Sequence, residues 1–195
     1  MFYDAVANSH GLPLDPFYAL VAPRPIAWIS TLSKAGKANL APYSFYNAFA
    51  HNPSYVGFGS SGAKHTLSNI AETGEFVVNL ATYDLREAMN LSSTATGEDE
   101  FALAGLAKAP CMKVKPPRVG QSPVALECLH YQTVPLPNDA GQVDDYLVIG
   151  RVVGVHIDER FIVDGRVNTA AMKPIARLGY AEYATVEQAW KMRRP

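Results

Sequence analysis

The chain is dominated by apolar segments of similar length, rich in β-branched and aromatic residues, with only short gaps between them. Parallel strands need a crossover of on the order of a dozen residues, usually a helix, and most gaps here are too short for one. The sequence therefore predicts a mainly β fold: a closed or nearly closed, Greek-key-like antiparallel barrel with short peripheral helices. The predicted strands span residues 24–33, 38–47, 54–60, 75–82, 124–136 and 146–157.

Composition favours a single domain over residues 1–195, because 48% of the residues are hydrophobic and can fill one core. The net charge is -1, from 17 basic and 18 acidic residues, which is not the basic footprint of a protein that binds nucleic acid or anionic membranes. The N-terminus lacks the pattern of a signal peptide, and no apolar run approaches the roughly 20 residues that span a bilayer. We therefore expect a cytoplasmic protein without nucleic-acid or membrane partners.

The cysteines and histidines show no metal-ligand spacing. Cys111 lies in a Pro-flanked segment and Cys128 in an apolar strand, so we expect both to be reduced thiols. No Cys-x-x-Cys pair occurs, and the histidines at positions 10, 51, 65, 130 and 156 are scattered. The sequence predicts no metal site.

Proline, glycine and capping residues set the predicted element boundaries. Pro42 cannot donate a ladder hydrogen bond, which places its strand at an edge or a bulge. Thr66 is the predicted N-cap of a short helix that Gly74 ends. Asp84 has the capping-box spacing and opens a second short helix.

Three later segments also carry local signals. A polar stretch from Ser92 to Glu98 leads into a predicted helical turn from Phe101 to Leu106. The Pro-rich segment from Pro110 to Pro123 is too short to separate two domains, and we expect it to cross the surface. Asp164 and Gly165 predict the turn of a small hairpin.

The loop from Ser60 to Thr66 is the first candidate binding site. It sets small polar residues and one Lys, Lys64, between the end of a strand and the start of a helix. Backbone N–H groups, hydroxyls and a helix N-terminus can converge on a phosphate in such a loop. Two interpretations stay open: Ser60, Ser61 and Thr66 bind phosphate oxygens with Lys64 as the charge, or the loop is an ordinary polar connection.

The segment from Tyr43 to Asn47 is the second candidate. Ser44 and Asn47 combine hydrogen-bonding groups with the flat faces of Phe45 and Tyr46, which suits them to hold the edge of a planar polar ring. An aromatic-rich strand is nevertheless most often part of a core.

Two further residues have open roles. His156 lies in an apolar strand, where a lone histidine is more often a hydrogen-bonded core residue than a catalyst. Arg177, near the C-terminus, fits a dimer salt bridge and a substrate contact equally well.

A series of different short motifs extends along nearly the whole chain. The first half contains Pro23-Arg-Pro-Ile-Ala-Trp-Ile-Ser-Thr31, Asn39-Leu-Ala-Pro-Tyr-Ser-Phe-Tyr-Asn47, Asn52-Pro53, Lys64-His-Thr-Leu-Ser-Asn-Ile70 and Thr73-Gly-Glu-Phe-Val-Val-Asn-Leu80. The second half contains Glu87-Ala-Met-Asn-Leu-Ser-Ser93, Gly97-Glu-Asp-Glu-Phe101, Ser122-Pro-Val-Ala-Leu-Glu-Cys128, Gly150-Arg-Val-Val-Gly-Val-His-Ile157 and Pro174-Ile-Ala-Arg-Leu-Gly179. Together they resemble the successive motifs of the flavin reductase-like FMN-binding proteins, in their longer, flavoredoxin-like branch.

The resemblance implies a split β-barrel that forms a homodimer and holds FMN in a groove at the subunit interface. Carried over by position, residues 44–47 border the isoalloxazine ring and ribityl chain, and residues 60–66 surround the phosphate. The implied cofactor-binding residues are Thr31, Ser44, Phe45, Tyr46, Asn47, Ser60, Ser61, Lys64, His65, Thr66 and Arg177.

The resemblance also implies an NAD(P)H-dependent oxidoreductase, in which hydride passes from the nicotinamide to FMN. Short flavin reductases similar to this family carry Gly-Asp-His before a strand that ends in Gly-x-Val. This chain has Val143-Asp144-Asp145 before Gly150-Arg151-Val152, so the donor stays open and His156 is the candidate catalytic residue. The alternatives are an electron carrier with a non-nicotinamide donor and a noncatalytic flavin-binding protein.

Overall fold

The computed structural model describes residues 1–94 and 98–193. Its α-helices are short: α1 (Phe17–Leu20), α2 (His65–Thr73), α3 (Arg86–Leu91) and α4 (Glu100–Leu103). Among the described residues no helix is long and apolar enough to cross a bilayer. The strands are β1 (Arg24–Pro25), β2 (Ala27–Leu32), β3 (Ala38–Tyr43), β4 (Tyr46–His51), β5 (Ser54–Ser61), β6 (Glu75–Leu80), β7 (Lys108–Ala109), β8 (Arg118–Val119), β9 (Val124–Pro137), β10 (Val143–Ile157), β11 (Ile162–Val163), β12 (Arg166–Val167), β13 (Ile175–Arg177) and β14 (Tyr183–Thr185).

Seven strands form one antiparallel sheet in the order β3-β2-β6-β9-β10-β5-β4. The long strands β9 and β10 pair along almost their whole length and lie at its centre. The sheet curls until β3 approaches β5, where the rings of Tyr43 and Phe58 lie 4.8 Å apart. The predicted mainly β fold, a split antiparallel barrel with peripheral helices, is confirmed.

The core lies on both faces of β2, because successive side chains of a strand point to opposite faces. Ala27 and Ile29 point into the barrel and pack in a cluster with Phe58. Trp28 points the other way, into a second cluster that includes Phe101 on α4. Helices α3 and α4 therefore cover the outer face of the barrel beside β3.

Trp28 connects this outer cluster to the loop that follows α3. The side chain is fully buried, and its indole N–H donates a hydrogen bond to the Ser92 hydroxyl at 2.8 Å. Ser92 in turn donates to the Met89 carbonyl at 2.7 Å. Because both polar groups are satisfied inside the core, the start of this loop has a fixed position beside β3.

The structure confirms the predicted edge strand and turns. Pro42 lies in β3, at one edge of the sheet. Gly74 ends α2 with a left-handed φ of 71°, and its N–H bonds the Ile70 carbonyl. Strands β11 and β12 form the predicted hairpin, with φ of 51° at Asp164 and 70° at Gly165. Positive φ at both central residues is what a tight hairpin turn of this type requires.

Both predicted helix N-caps are wrong. In α2, Thr66 lies within the first turn, and its hydroxyl is buried and accepts a hydrogen bond from Asn39. In α3, the first residue is Arg86 and Leu85 occupies the N-cap position. The predicted capping box at Asp84 therefore does not form, because the N-cap lies one residue later in the chain.

Two predicted segments also differ. Residues 43–47 do not form one strand: β3 ends at Tyr43, the chain turns, and β4 starts at Tyr46 and pairs with β5. The Pro-rich segment is more than a surface crossing, because β7 pairs with β8 and Val119 is fully buried. The polar stretch predicted from Ser92 to Glu98 includes residues 95–97, which lie outside the described residues.

Candidate functional site

Four overlapping cavities follow the edge strand β3 past Ser44 to Arg177. Their volumes are about 450, 270, 220 and 360 Å³ in that order. Neighbouring cavities share lining residues, so they form one continuous surface, which we call the β3 groove. The shared lining residues include Tyr43, Ser44, Lys64, Ser93 and Arg177.

Lys64 supplies a positive charge to the β3 groove. Its side chain is exposed, and across residues 1–94 and 98–193 no carboxylate lies within 4.0 Å of its ammonium group. Gly62, just before it, has a φ of 77°, and its N–H donates to the Asp144 carbonyl at 2.7 Å. A structured loop therefore presents a cation that is available to pair with an anion.

The N-terminus of α2 adds to this charge. Lys64 occupies the N-cap position, and an ammonium group cannot accept hydrogen bonds from the N–H groups of the first turn. The dipole of a helix favours an anion at its N-terminus by roughly 0.3–1 kcal/mol at an exposed site. His65 is exposed at the same end and lines the same cavity as Lys64.

A buried polar layer supports the groove from below. Thr66 is 1% exposed, and its hydroxyl accepts a hydrogen bond from Asn39 at 2.9 Å. Thr31 is fully buried, and its hydroxyl accepts a hydrogen bond from Asn69 at 3.0 Å. Thr31 therefore lies below the groove and positions Asn69, and its contact with a ligand stays a prediction.

Ser60 and Ser61 differ in their orientation. Ser60 is 2% exposed, and its hydroxyl lies 3.5 Å from the Gly62 carbonyl, beside Tyr43. Burial raises the pKa of the Tyr43 phenol, which is thus a neutral donor on this wall. Ser61 is exposed and donates to a carboxylate oxygen of Asp145 at 2.5 Å. Of the two serines predicted to bind phosphate, one faces inward and the other is held by a carboxylate.

Phe45 lies at the turn between β3 and β4. Its ring stacks on Tyr18 at 5.4 Å, and the Arg24 guanidinium lies 5.7 Å from its centroid. Gly59 leaves room for it, since a Cβ there would lie 3.0 Å from the Phe45 Cβ. The ring is 45% exposed, so the corner offers a flat apolar surface beside the hydroxyl of Ser44.

A larger cavity of about 910 Å³ lies on the other side of Phe45, between α1, β4 and the start of β10. Tyr46 and Asn47 line this cavity, although the sequence predicted them beside Ser44. Burial raises the pKa of the Tyr46 phenol to about 12. Asp144 and Asp145 lie at the same cavity and make its wall partly acidic.

Arg177 reaches the groove because β13 pairs with β1. Its guanidinium donates to the Tyr183 hydroxyl at 2.5 Å and to the Tyr180 carbonyl, and lies 4.6 Å from the Tyr183 ring centroid. It lines two cavities of the groove together with Ser44. The structure is thus compatible with both roles that the sequence predicted for Arg177, a contact with a ligand and a contact with a partner subunit.

His156 does not join these residues. Its ring nitrogen lies 2.5 Å from the buried Glu127 carboxylate. Asp145 on β10 pairs with Ser61, whereas His156 lies roughly 35 Å further along the same strand. The structure therefore brings together Ser44, the loop 60–66 and Arg177 but places His156 elsewhere, and its catalytic role stays a prediction.

Sequence reasoning missed the part of the groove that follows α3. Ser93 lines three of the four cavities, and Thr94 lines one of them. The Ser93 hydroxyl donates to the Asn90 carbonyl at 2.6 Å and keeps its lone pairs as acceptors. The only sequence signal was the motif ending at Ser93, because nothing in its spacing shows that this loop lies across from Lys64.

A family model of the flavin reductase-like domain matches residues 20–169. The chain belongs to this family. The match spans β3, the turn at Phe45, the loop 60–66 and α3, and it confirms the resemblance seen in the motifs.

The chain is also similar to curated proteins and to solved structures. The flavin reductase-like protein is 35% identical to an uncharacterized protein of Halalkalibacterium halodurans over 182 residues, covering 90% of this chain and 87% of the relative. The structure of nitrilotriacetate monooxygenase component B from Bacillus cereus matches with a TM-score of 0.88 and 29% identity over 98% of both chains. The 2-nitrobenzoate 2-nitroreductase NbaA of Pseudomonas fluorescens matches with a TM-score of 0.82 and 28% identity over 92% of this chain and 88% of that one.

Proposed function

We propose that this flavin reductase-like protein binds FMN in the β3 groove and acts as an NAD(P)H-dependent oxidoreductase. The observation that carries the proposal is the exposed Lys64 ammonium at the N-terminus of α2, unpaired within the described residues. FMN joins a phosphate to a planar ring, and the groove has a cationic end and an aromatic corner. Two relatives of 28–29% identity carry names of redox proteins, a nitroreductase and a monooxygenase component, which supports a redox role.

The donors at the cationic end fit a phosphate. Lys64 contributes a full charge, and the first turn of α2 contributes N–H groups. Hydrogen bonds between charged partners are roughly twice as strong as those between neutral groups. Lys64 is therefore the residue on which phosphate affinity should depend most.

The corner at Phe45 fits the planar ring. Phe45 offers an exposed face, Ser44 offers a hydroxyl, and backbone N–H groups of residues 44–47 are candidate donors to the ring edge where charge grows on reduction. The bound flavin would supply the hydride-accepting chemistry. The residues of this chain then have to hold and orient the ring, and a protein nucleophile is unnecessary.

We also propose that the protein is a homodimer with the groove at its interface. β4 is an edge strand whose residues from Asn47 to His51 are all exposed, and Phe49 is 61% exposed. An unpaired edge with exposed aromatic rings is a surface that soluble proteins usually cover. A partner subunit at this edge would also cover the corner at Phe45 from a second side.

FMN affinity should therefore depend on protein concentration. A ligand that binds only the dimer must stabilise the dimer, because linkage between the two equilibria is reciprocal. Sedimentation velocity of the apo- and FMN-loaded protein across a dilution series measures both equilibria. A monomer that binds FMN as tightly when dilute as when concentrated would rule out a binding site shared by two subunits.

A second candidate function, an electron carrier with a non-nicotinamide donor, is favoured by the larger cavity. Asp144 and Asp145 line it beside Ser61, and these carboxylates would repel the diphosphate of NAD(P)H if the nicotinamide entered there. A neutral or cationic donor would not experience this repulsion.

The purified protein should be yellow and should release FMN on denaturation. Anaerobic stopped-flow reduction of the FMN-loaded protein by NADH and by NADPH then separates the functions. Fast bleaching of the flavin by either nucleotide supports the oxidoreductase. Bound flavin that dithionite reduces but neither nucleotide does supports the carrier or a noncatalytic flavin-binding protein, and a colourless protein that does not take up added FMN rejects all three.

A further inference from the structure

A cluster of three side chains lies on the sheet, at the end of β10 that is far from the β3 groove. It consists of Cys111, Glu127 and His156. Their sulfur, carboxylate oxygen and ring nitrogen all lie within 4.8 Å of one another. The sequence predicted no metal site because its cysteines and histidines are scattered. That prediction considered spacing along the chain only, whereas the pairing of β9 with β10 and the Pro-rich segment bring these three residues together.

Glu127 is the fixed member of this cluster. Its side chain is 1% exposed, and its two oxygens accept hydrogen bonds from the N–H groups of Met112 at 2.8 Å, Lys113 at 2.5 Å and Val114 at 3.1 Å. The ring nitrogen of His156 lies 2.5 Å from one of the same oxygens. The carboxylate therefore has a set orientation and holds the loop that carries Cys111.

The backbone leaves space for this carboxylate. Gly154 on β10 lies opposite Glu127, and a Cβ there would lie 3.1 Å from the Glu127 carboxyl carbon. His156 lies opposite Ala125, two residues along each strand, so it is the diagonal neighbour of Glu127 on the same face. The register irregularity between Val152 and Gly154 sets this alignment.

Cys111 differs from the other cysteine of the chain in its access to solvent. Cys128 is fully buried, whereas Cys111 is half-buried. Burial, with a smaller contribution from the Glu127 charge, raises the pKa of the Cys111 thiol to about 11. In the protein without a bound ion this thiol is neutral at physiological pH, and an approaching cation would favour the thiolate.

We propose that Cys111, Glu127 and His156 bind one divalent transition-metal ion, Zn²⁺ in preference to Mg²⁺ or Ca²⁺. Sulfur, imidazole nitrogen and carboxylate oxygen are zinc's donor types, whereas Mg²⁺ and Ca²⁺ prefer oxygen alone. A thiolate and a carboxylate together neutralise the two positive charges. Three protein ligands leave the fourth tetrahedral position to water, which half-buried His156 admits.

Binding replaces one hydrogen bond and releases one proton. The Cys111 thiol proton passes to solvent, and neutral His156 coordinates through Nε2 with its proton on Nδ1. The His156–Glu127 contact of 2.5 Å must open by about 1 Å, because metal–ligand bonds are about 2.0–2.2 Å long. The three backbone N–H groups stay on the carboxylate and keep it oriented.

Equilibrium dialysis of the full-length protein against Zn²⁺ in excess Mg²⁺ tests the site. We expect one Zn²⁺ per chain, and binding weaker by on the order of a hundredfold in Cys111→Ser and in His156→Gln. Cys128→Ala is the matched control and should keep the parent affinity. In the native parent, Zn²⁺ should also protect Cys111 from alkylation, a readout that needs no flavin and no turnover.

Two results would overturn the proposal. One is Zn²⁺ binding that is equally tight in the parent, Cys111→Ser and His156→Gln. The other is a parent protein whose Cys111 alkylates at the same rate with and without stoichiometric Zn²⁺.

Discussion

Lys64→Ala should weaken FMN binding by about tenfold to a hundredfold, because a hydrogen bond to a charged group is worth about 1.5–3 kcal/mol. The free energy of unfolding of the apoprotein should change little. Lys64 is exposed and forms no ion pair within the described residues, so its replacement removes no packing and no salt bridge. Titration of the apoprotein with FMN, followed by quenching of flavin fluorescence, measures the loss.

Riboflavin and a second lysine provide the controls. Riboflavin lacks the phosphate, so its affinity should be the same for the parent and Lys64→Ala. Lys34→Ala removes an exposed lysine from the turn between β2 and β3 and should leave FMN affinity unchanged. If Lys64→Ala lost affinity equally for FMN and for riboflavin, Lys64 would not contact the phosphate.

Glu127→Ala should lower the free energy of unfolding by about 3 kcal/mol, the largest stability effect that we expect from a polar residue here. The substitution leaves the N–H groups of Met112, Lys113 and Val114 without their common acceptor and leaves His156 unpaired. Urea denaturation at neutral pH measures the loss. Glu75→Ala is the matched control. Glu75 accepts a single N–H, that of the exposed Lys115, which lies in the same segment as the three N–H groups that Glu127 accepts.

The contribution of Glu127 should depend on pH in one direction. Burial by itself raises the pKa of Glu127, but hydrogen bonds from Met112, His156 and Lys113 outweigh it and hold the pKa below the ordinary value. Its contribution is therefore complete above the ordinary glutamate pKa of about 4.3 and is lost as the pH falls through the folded-state value. The difference in stability between the parent and Glu127→Ala should shrink over that acidic range, and an unchanged difference would exclude an ionised Glu127.

The fold could be predicted from local patterns because they are reinforced by the tertiary structure. Near-continuous apolar runs such as β2 are buried on both faces, and Pro42 can be accommodated because β3 is an edge strand. The failures came where tertiary contacts override a local preference. Thr66 has the chemistry of an N-cap, yet its hydroxyl is used by Asn39 from a strand that sequence reasoning could not place beside it.

The site was predictable only in part for the same reason. Lys64 and Ser44 carry a chemistry that stands out in the sequence, and both line the groove. Ser93 and the meeting of Cys111, Glu127 and His156 depend on contacts between distant segments, which no spacing along the chain reveals.

Gly57 and Gly59 on β5 support two aromatic rings, Phe49 on the adjacent strand β4 and Phe45 in the turn before it. A Cβ at Gly57 would lie 2.8 Å from the Phe49 ring, so Phe49 and Phe45 rest on bare main chain instead of on side chains of β5. Main-chain hydrogen bonding is insensitive to side-chain replacement elsewhere in the sheet. Exchange of Phe45 or Phe49 for another apolar residue should therefore reshape the wall of the larger cavity, which both exposed rings line, without repacking the core.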